Sequence, residues 1–545
     1  MLVLGVLLVA VFVVGSTVPL QAQRRRDNVT VLLGQEPAEL FAGFVSNLLV
    51  ESDVTSAIYC DLVRRNADWK TYGMLAEKVP SLKDGDWQIL PGKKMKITFK
   101  LRKGWKWHDG KTVTATDFVW TLRMRKNPRT PVVSRFLDNK IDNVLAPDPY
   151  TVTFQYNELY PYAYEGYDLL PSHILLKEYN RDPAKIDAAP FARAPVHCGP
   201  YKLVQWVPGS HIELRASPET YGGDKPKIRT ITYRFFLDAT VLAANLIANQ
   251  GDATATSNIT DPALIEEIAS RNPQVVGSFV EGLTWEHVDF NMDHEWLRDK
   301  RVRHAIIHGI DREGMVQALF KGGRQPVAHT YFGPKHFAHH KNVKKYGYDQ
   351  ARARALLAEA GFVPGPDGIL RDARGRRFEM TIMTTSGNPV REQVQQIMRD
   401  QLRQIGLDLR IDNRPSTVLF GQVTRERTFP HLVMYAWTSA PTTHFYTIWH
   451  SKQIPTRENN FVGQNTPGYR NPEVDRLLDL TEQELDEAKR REVLLKVQEL
   501  WAEDLPSIPL YFRLALNVQR KALQNYLPRG FGGVPWNSEQ WGWAQ

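Results

Sequence analysis

The chain has 545 residues, of which 42% are apolar and 24% are charged, and its formal net charge is +9 at pH 7. These proportions are typical of a globular protein and exclude disordered and collagen-like chains. A chain of this length buries more than one hydrophobic core, so we expect about two to four structural units. Because basic and acidic residues are interspersed, we predict no nucleic-acid binding in spite of the positive charge.

The N-terminus carries the pattern of an export signal. Residues 2–14 are uncharged and apolar, and Leu20-Gln21-Ala22 follows them as a cleavage site. We predict a signal peptide over residues 1–22 and a periplasmic location for the exported protein. The apolar run is shorter than the about 20 residues of a membrane span. Since no basic residue precedes it and Arg24-Arg25-Arg26 follows it, an uncleaved membrane anchor is the alternative.

The first half of the chain is predicted as short strands and helices. Met95–Leu101 alternates apolar and polar residues, which is the period of a half-buried strand. A capping box at Thr114–Asp117 begins a helix, and Asn127-Pro128 ends it. Other strands are predicted at 29–33, 152–156, 199–206, 212–214 and 228–236, with helices within 46–63 and after Asp238.

Cys60 and Cys198 are the only cysteines. In an exported protein two thiols can form a disulfide in an oxidising compartment, but two buried free thiols fit the sequence equally well. We predict no catalytic role for either one, because no nucleophile site surrounds them.

The second half contains a strand–helix–strand unit. Phe378, Met380 and Ile382 alternate in a strand, and Asn388-Pro389 supplies the N-cap and first residue of a helix that Gly406 ends. The strand at 407–411 then indicates a parallel crossover, and ligands bind near the carboxyl ends of such strands. Further helices are predicted at 349–360, 472–485 and 487–503, followed by a strand at 508–512.

The middle of the chain carries the most informative motif. A strand ends at Phe290-Asn291, a helix with apolar Val302, Ala305 and Ile306 follows, and a second helix begins at Asp311. This segment resembles the signature of the family 5 bacterial extracellular solute-binding proteins, which deliver peptides and related compounds to ABC importers. Further motifs stand in the family's order at Leu101–Lys111, Cys198–Tyr201, Gly251-Asp252, Tyr348–Phe362, Tyr469–Asp475 and Asp504–Pro506.

The resemblance implies an α/β fold of the two-lobed periplasmic-binding-protein type (class II, cluster C), with an extra α+β subdomain inserted in the first lobe. The implied first lobe is discontinuous (27–64, 196–283 and 507–545), the inserted subdomain is 65–195, and the second lobe is 284–506. The lobes would close over the ligand by a hinge motion.

The resemblance also identifies a candidate ligand pocket. In peptide-binding members a Trp, followed by a short segment and an Asp, receives the α-ammonium group of the peptide. Trp437 matches this Trp, but Ala440 stands where the Asp is expected. Because a methyl group cannot neutralise a buried ammonium, either Glu36, Glu51 or Asp53 replaces the Asp or the ligand lacks a free amine.

Five other residues are predicted to contact the ligand, and each has a structural alternative. Trp285, Trp449 and Tyr511 would line the pocket or pack in a core. Asn291 would reach the ligand or bind backbone groups at the end of its strand. Arg425 would bind a ligand carboxylate through two parallel hydrogen bonds or point to solvent.

Motifs of catalysis are missing from the sequence: we find no His-Glu-x-x-His, phosphate loop or Gly-x-Ser-x-Gly. We therefore expect no enzyme activity, no cofactor and no metal. The predicted function is that of a monomeric receptor that captures a peptide or peptide-like solute for the permease subunits of an ABC importer. The alternatives are a non-peptide ligand (oligosaccharide, opine or metal chelate), a periplasmic hydrolase, and a chaperone-like binder without domain closure.

Overall fold

The computed structural model describes residues 27–41, 48–255, 259, 261–320, 325–442 and 445–544. The predicted signal peptide lies outside the described residues. Within the described part, every helix is too short or too polar to span a membrane.

The strands are β1 (Asn28–Leu33), β2 (Val63–Arg65), β3 (Thr71–Gly73), β4 (Trp87–Leu90), β5 (Lys94–Lys100), β6 (Ile141–Asp148), β7 (Thr151–Tyr156), β8 (Tyr201–Val207), β9 (His211–Ala216), β10 (Thr230–Phe235), β11 (Ala253–Thr254), β12 (Val275–Phe290), β13 (Val363–Pro364), β14 (Leu370–Arg371), β15 (Glu379–Met383), β16 (Asp408–Ile411), β17 (Leu432–Thr438), β18 (Ser507–Arg520), β19 (Leu523–Gln524) and β20 (Gly542–Trp543).

The α-helices are α1 (Leu49–Ile58), α2 (Ala115–Lys126), α3 (Phe136–Lys140), α4 (Ser172–Arg181), α5 (Ala239–Ile247), α6 (Pro262–Arg271), α7 (Glu295–Arg298), α8 (Lys300–His308), α9 (Arg312–Leu319), α10 (Gln350–Glu359), α11 (Pro389–Arg403), α12 (Ser416–Val418), α13 (Tyr446–Trp449), α14 (Pro472–Thr481) and α15 (Glu487–Asp504).

One ten-stranded sheet runs through the molecule, in the order β16-β15-β17-β12-β18-β11-β1-β10-β9-β8. At one end β15 lies parallel to both β16 and β17. Towards the other end β1 lies parallel to β10 and β11, and the edge strands β9 and β8 are antiparallel. Both proposed lobes therefore contribute strands to the same sheet.

The central strands β12 and β18 connect the two ends of this sheet. They pair antiparallel, and their register shifts between Glu281 and Thr284, which is the proposed boundary between the lobes. The structure extends the predicted strand at 508–512 to Ser507–Arg520. The two strands are paired on either side of this shift, which makes it the candidate position for the predicted hinge.

Separate hydrophobic cores lie along the sheet. One core packs α8, α10 and α11 on β15 and β17, and an aromatic core surrounds Trp285 and Trp501. Another core joins β1, α1 and β10, whereas β5, β7 and α2 enclose a core within the inserted segment. Burial of apolar surface, at about 25 cal/mol per Å², stabilises each unit. This distribution supports the proposed division into lobes, whose boundaries stay a prediction.

Two predicted helix starts have the expected hydrogen bonds. The Thr114 amide donates to Asp117 Oδ2 at 3.1 Å, which completes the capping box of α2. The Arg391 amide donates to Asn388 Oδ1 at 3.1 Å at the start of α11. The predicted apolar face of α11 is buried through Val394, Met398 and Leu402.

The inserted segment forms its own four-stranded sheet, in the order β4-β5-β7-β6. A disulfide between Cys60 and Cys198 joins the two parts of the first lobe that precede and follow this segment, with the Cα atoms 5.3 Å apart. Of the two alternatives for these cysteines, the structure contains the pair. His197 Nδ1 accepts the Cys60 amide at 3.2 Å, and burial lowers the pKa of His197 to about 3, so the imidazole is neutral.

Candidate ligand-binding site

β15 and β17 run parallel in the second lobe, and β17 continues past the end of β15, because Met383 lies opposite Val433. β15 ends at Met383, β17 ends at Thr438, and α11 begins soon after β15. Thr438 lies opposite Thr284 in β12, which lies opposite Arg513 in β18. Since ligands of open α/β sheets bind at the carboxyl ends of the strands, we call Thr284, Thr385, Arg391, Thr438 and Arg513 the cleft edge.

A buried carboxylate holds two arginines at the cleft edge. Arg391 Nε donates to Glu286 Oε1 at 2.7 Å, and Arg391 Nη1 donates to Thr385 Oγ1 at 2.9 Å. Arg513 Nη2 forms an ion pair with Glu286 Oε2 at 2.5 Å. The Glu286 side chain is 0% exposed, that of Arg391 is 8% exposed, and that of Arg513 is 21% exposed.

The two arginines keep Glu286 ionised. Burial by itself raises the pKa of Glu286, but the charges of Arg391 and Arg513 outweigh it, and the pKa lies below its ordinary value. One carboxylate thus faces two guanidinium groups, and the cluster carries one excess positive charge.

Trp437 lies on β17, directly before the end of the strand at the cleft edge, and is half-buried. It pairs with Trp285 of β12 in the register of the sheet. Beyond Trp437, the Ser439 hydroxyl donates to the Leu283 carbonyl at 3.1 Å, and Ala440 is exposed. Trp437 and Ala440 therefore lie at the end of β17, and their contact with a ligand stays a prediction.

Trp285 and Trp449 are fully buried in an aromatic cluster with Tyr331 and Trp501. The ring centroids of Trp285 and Trp449 are 6.2 Å apart, and Trp449 and Trp501 are 5.5 Å apart. Aromatic pairs at such distances stabilise a core beyond their area burial. This placement gives both residues a packing role, and a direct ligand contact stays a prediction.

Tyr511 of β18 is buried in the core that packs α8, α10 and α11 on the sheet, and its ring lies 4.9 Å from that of Phe320. Burial raises the pKa of Tyr511 above its ordinary value, so the phenol is neutral. It pairs with Glu286 across the strands. The structure therefore brings Tyr511 beneath the arginine cluster rather than to the surface of the cleft.

Asn291 and Arg425 are placed differently. The Asn291 side-chain amide donates to the Phe429 carbonyl at 2.8 Å, and its Oδ1 accepts the Asp293 amide at 3.1 Å. Asn291 lies seven residues from Thr284 along β12, roughly 23 Å at the rise of a strand, so it is away from the cleft edge. Arg425 is exposed at the end of the helical turn Leu419–Thr424, which follows α12.

The acids considered as substitutes for the missing Asp have other partners. Glu36 accepts Trp206 Nε1 at 2.8 Å and the Gly209 amide at 3.0 Å. Glu51 accepts the Leu48 amide at the start of α1, and Asp53 accepts the Val534 amide. These contacts are internal to the first lobe, and a role of any of the three acids in binding a ligand amine stays a prediction.

The inserted segment contacts the second lobe beside this site. Lys140 forms ion pairs with Glu158 at 2.6 Å and with Glu482 of the second lobe at 3.2 Å. The Phe136 ring lies 4.9 Å from that of Tyr446. A cavity of about 480 Å³ lies at this contact, lined by residues of 134–158 together with Tyr446, Gln453 and Val462.

The comparison with known proteins identifies the family. The family described as "Bacterial extracellular solute-binding proteins, family 5 Middle" matches residues 77–455. The oligopeptide-binding protein AppA of Bacillus subtilis (strain 168) is 28% identical over 501 residues, which cover 90% of this chain and 87% of AppA.

Solved structures agree with this result. An oligopeptide-binding protein from Thermus thermophilus, complexed with a pentapeptide, has a TM-score of 0.85 and 32% identity, covering 95% of this chain and 96% of that one. AppA from Bacillus subtilis, in complex with a nonapeptide, has a TM-score of 0.84 and 25% identity. This match covers 95% of this chain and 100% of the AppA chain. Both are oligopeptide-binding proteins, and their similarity confirms the predicted two-lobed α/β fold. The chain belongs to the bacterial extracellular solute-binding proteins of family 5.

Proposed function

We propose that this protein is the receptor of an ABC importer and that it captures a peptide or peptide-like solute between its lobes. It would pass the solute unchanged to the permease subunits. The observation that carries the proposal is the similarity, over 95% of the chain, to a structure solved with a bound pentapeptide. We also propose that the receptor is exported to the periplasm by residues 1–22 and acts as a monomer without a cofactor.

The cleft edge supports this role. Trp437 and Thr438 lie at the carboxyl end of β17, and Arg513 lies opposite Thr284 within β18. Lys140 of the inserted segment pairs with Glu482 of the second lobe. An aromatic side chain and several polar groups on strand ends are the features of a pre-formed solute site. Of the site residues predicted from the sequence, Trp437 and Ala440 lie at and just after the end of β17, and Arg425 is exposed. Trp285, Trp449 and Tyr511 are buried and Asn291 binds backbone groups, and contact of any of the seven with the solute is part of this proposal.

A solute without a free amine is the second candidate. Ala440 offers no carboxylate, and Glu36, Glu51 and Asp53 bind groups of the first lobe. A peptide that is blocked at its N-terminus, or a non-peptide solute, avoids the cost of burying an unpaired ammonium, which amounts to several kcal/mol.

Calorimetry with tri- to pentapeptides and their N-acetylated forms tests both candidates, after native mass spectrometry has identified any co-purified solute. We expect binding of at least one of these peptides, and Trp437→Ala should weaken it by about tenfold or more because an aromatic anchor is lost. Trp543→Ala is the matched control. The Trp543 indole donates to the carbonyl of Asn28, the first residue of β1, which lies in the first lobe. A folded, solute-free protein that binds none of the peptides would refute the peptide proposal.

A further inference from the structure

The cleft edge contains more positive than negative charge. Glu286 is the only acid ion-paired with Arg391 or Arg513 among the described residues. Glu286 accepts Arg391 through one oxygen and contacts Arg513 through the other. Glu286 supplies one negative charge for two guanidinium groups, so neutralising the second guanidinium requires an anion from elsewhere.

Arg513 is the group with remaining binding capacity. Its Nε is buried and lacks a hydrogen-bond acceptor in the described part of the chain. A buried donor without an acceptor is destabilising, so a partner for this atom stabilises the protein. The side chain is 21% exposed, which is more than Arg391, and Arg513 directly follows the lobe-boundary bulge of β12 in the pairing of the sheet.

A further arginine, Arg529 of the first lobe, lies near this site. The Leu283 amide, next to Thr284, donates to the Gly530 carbonyl at 3.1 Å, which brings Arg529 close to the cleft edge. Arg529 donates to the carbonyls of Arg65 and Phe531 rather than to a carboxylate. Burial and the neighbouring Arg64 lower the pKa of Arg529 below its ordinary value, as expected for a cation that lacks a carboxylate partner.

We infer that the solute carries an anionic group and that Arg513 binds this group at the cleft edge. This inference rests on the proposed function. A carboxylate is the chemistry that a guanidinium fork recognises through two parallel hydrogen bonds. Arg391 fixes Glu286, Glu286 orients Arg513, and the solute supplies the missing negative charge. Its carboxylate is either the C-terminus of a peptide or an acidic side chain.

Calorimetry with four matched peptides distinguishes these sources: tetra-alanine with a free C-terminus, its C-terminal amide, and the same pair with Glu at the second position. We expect the probe without any carboxylate to bind about tenfold or more weakly than the best one, since a charge-assisted hydrogen bond is lost. Preference for the free C-terminus or for the Glu side chain identifies the source. In Arg513→Gln this preference should disappear, and in Arg513→Lys part of it should return.

Arg399→Gln is the control variant, because Arg399 lies on the same helix as Arg391 with a side chain that is 47% exposed. It should keep the preference of the unmodified protein. Circular dichroism verifies that each variant is folded. Equal affinity for all four peptides, or an unchanged preference in folded Arg513→Gln, would overturn the inference and leave the peptide proposal intact.

A second experiment uses no peptide. It compares the melting temperature of the protein in succinate with that in sodium chloride at equal ionic strength. Succinate should raise the melting temperature of the unmodified protein but not that of Arg513→Gln. Stabilisation by succinate without any peptide binding supports the anion site and refutes the peptide proposal. If no peptide binds to the folded protein and succinate does not raise its melting temperature, both proposals are wrong.

Discussion

At the scale of single residues, local signals could be predicted and long-range partners could not. The caps at Thr114 and Asn388 were predictable because each cap binds an amide a few residues away. The pairing of Glu286 with Arg391 joins residues 105 positions apart, and no period or spacing in the sequence indicates it. The sequence indicates that Trp285 lines the pocket or packs in a core. Its full burial could not be predicted, because it depends on helices that come much later in the chain.

Glu286→Gln should lower the free energy of unfolding by about 3–5 kcal/mol, because it leaves two guanidinium groups in the protein without their carboxylate. Urea denaturation measures this change. Glu379→Gln is the control, since Glu379 pairs with Arg410, whose side chain is 67% exposed, and loss of such a surface pair costs about 1 kcal/mol or less. Equal effects of the two substitutions would contradict the role given to the buried cluster.

The same residue predicts a pH dependence. The folded-state pKa of Glu286 is lowered, so its contribution to stability is present above its unfolded pKa of about 4.3 and is lost as the pH falls through the folded pKa. The difference in unfolding free energy between the unmodified protein and Glu286→Gln should therefore be large at neutral pH and should shrink in acid. Denaturation series at several pH values give this difference, and a gap that widens below pH about 4 would show that the sign is wrong.

At the scale of elements, periodic segments were predicted well and the hinge strands were not. The helix α11 has a clear apolar face and a proline at its first position, so its start was fixed by local chemistry. The end of β18 was missed because buried Asn517 and half-buried Arg513 interrupt its apolar pattern. Likewise, Gly277 and Gly282 weaken the strand signal in β12, where neighbouring groups come close to the backbone.

The disulfide connects two elements of the first lobe, since Cys60 follows α1 and Cys198 precedes β8. It closes a loop with a sequence separation of 138 residues, so Cys60→Ser/Cys198→Ser should lower the unfolding free energy by about 2–5 kcal/mol. Chemical denaturation of the double variant should match that of the unmodified protein under a dithiol reductant. An oxidised protein no more stable than the double variant would rule out this contribution.

At the scale of the whole molecule, the fold class was predictable from motifs in a known order, and the similarity to solved structures confirms it. The contact between the inserted segment and the second lobe was not predictable, because Lys140 and Glu482 belong to separate folding units. The identity of the solute is also beyond the sequence, since it depends on the joint placement of β12, β17, β18 and α11.

Lys140→Met should favour the open arrangement of the lobes, because it removes the ammonium group that joins Glu158 to Glu482. We expect a larger radius of gyration for the solute-free protein in small-angle scattering, and an affinity about tenfold lower if closure loses roughly 1.4 kcal/mol. Lys94→Met is the control, because its pair with Asp142 lies on the exposed surface of the inserted segment. Identical scattering and affinity in both variants would show that Lys140 does not help closure.

The continuous pairing of β12 with β18 has a practical consequence for dissecting this receptor. If either half were expressed alone, β12 or β18 would lack its paired strand. An unpaired strand edge promotes aggregation. Fragment expression is thus the wrong route to the separate properties of the halves. Fluorescent reporters placed in the exposed hairpin of β13 and β14 would leave the shared backbone ladder whole and make the receptor usable as a sensor.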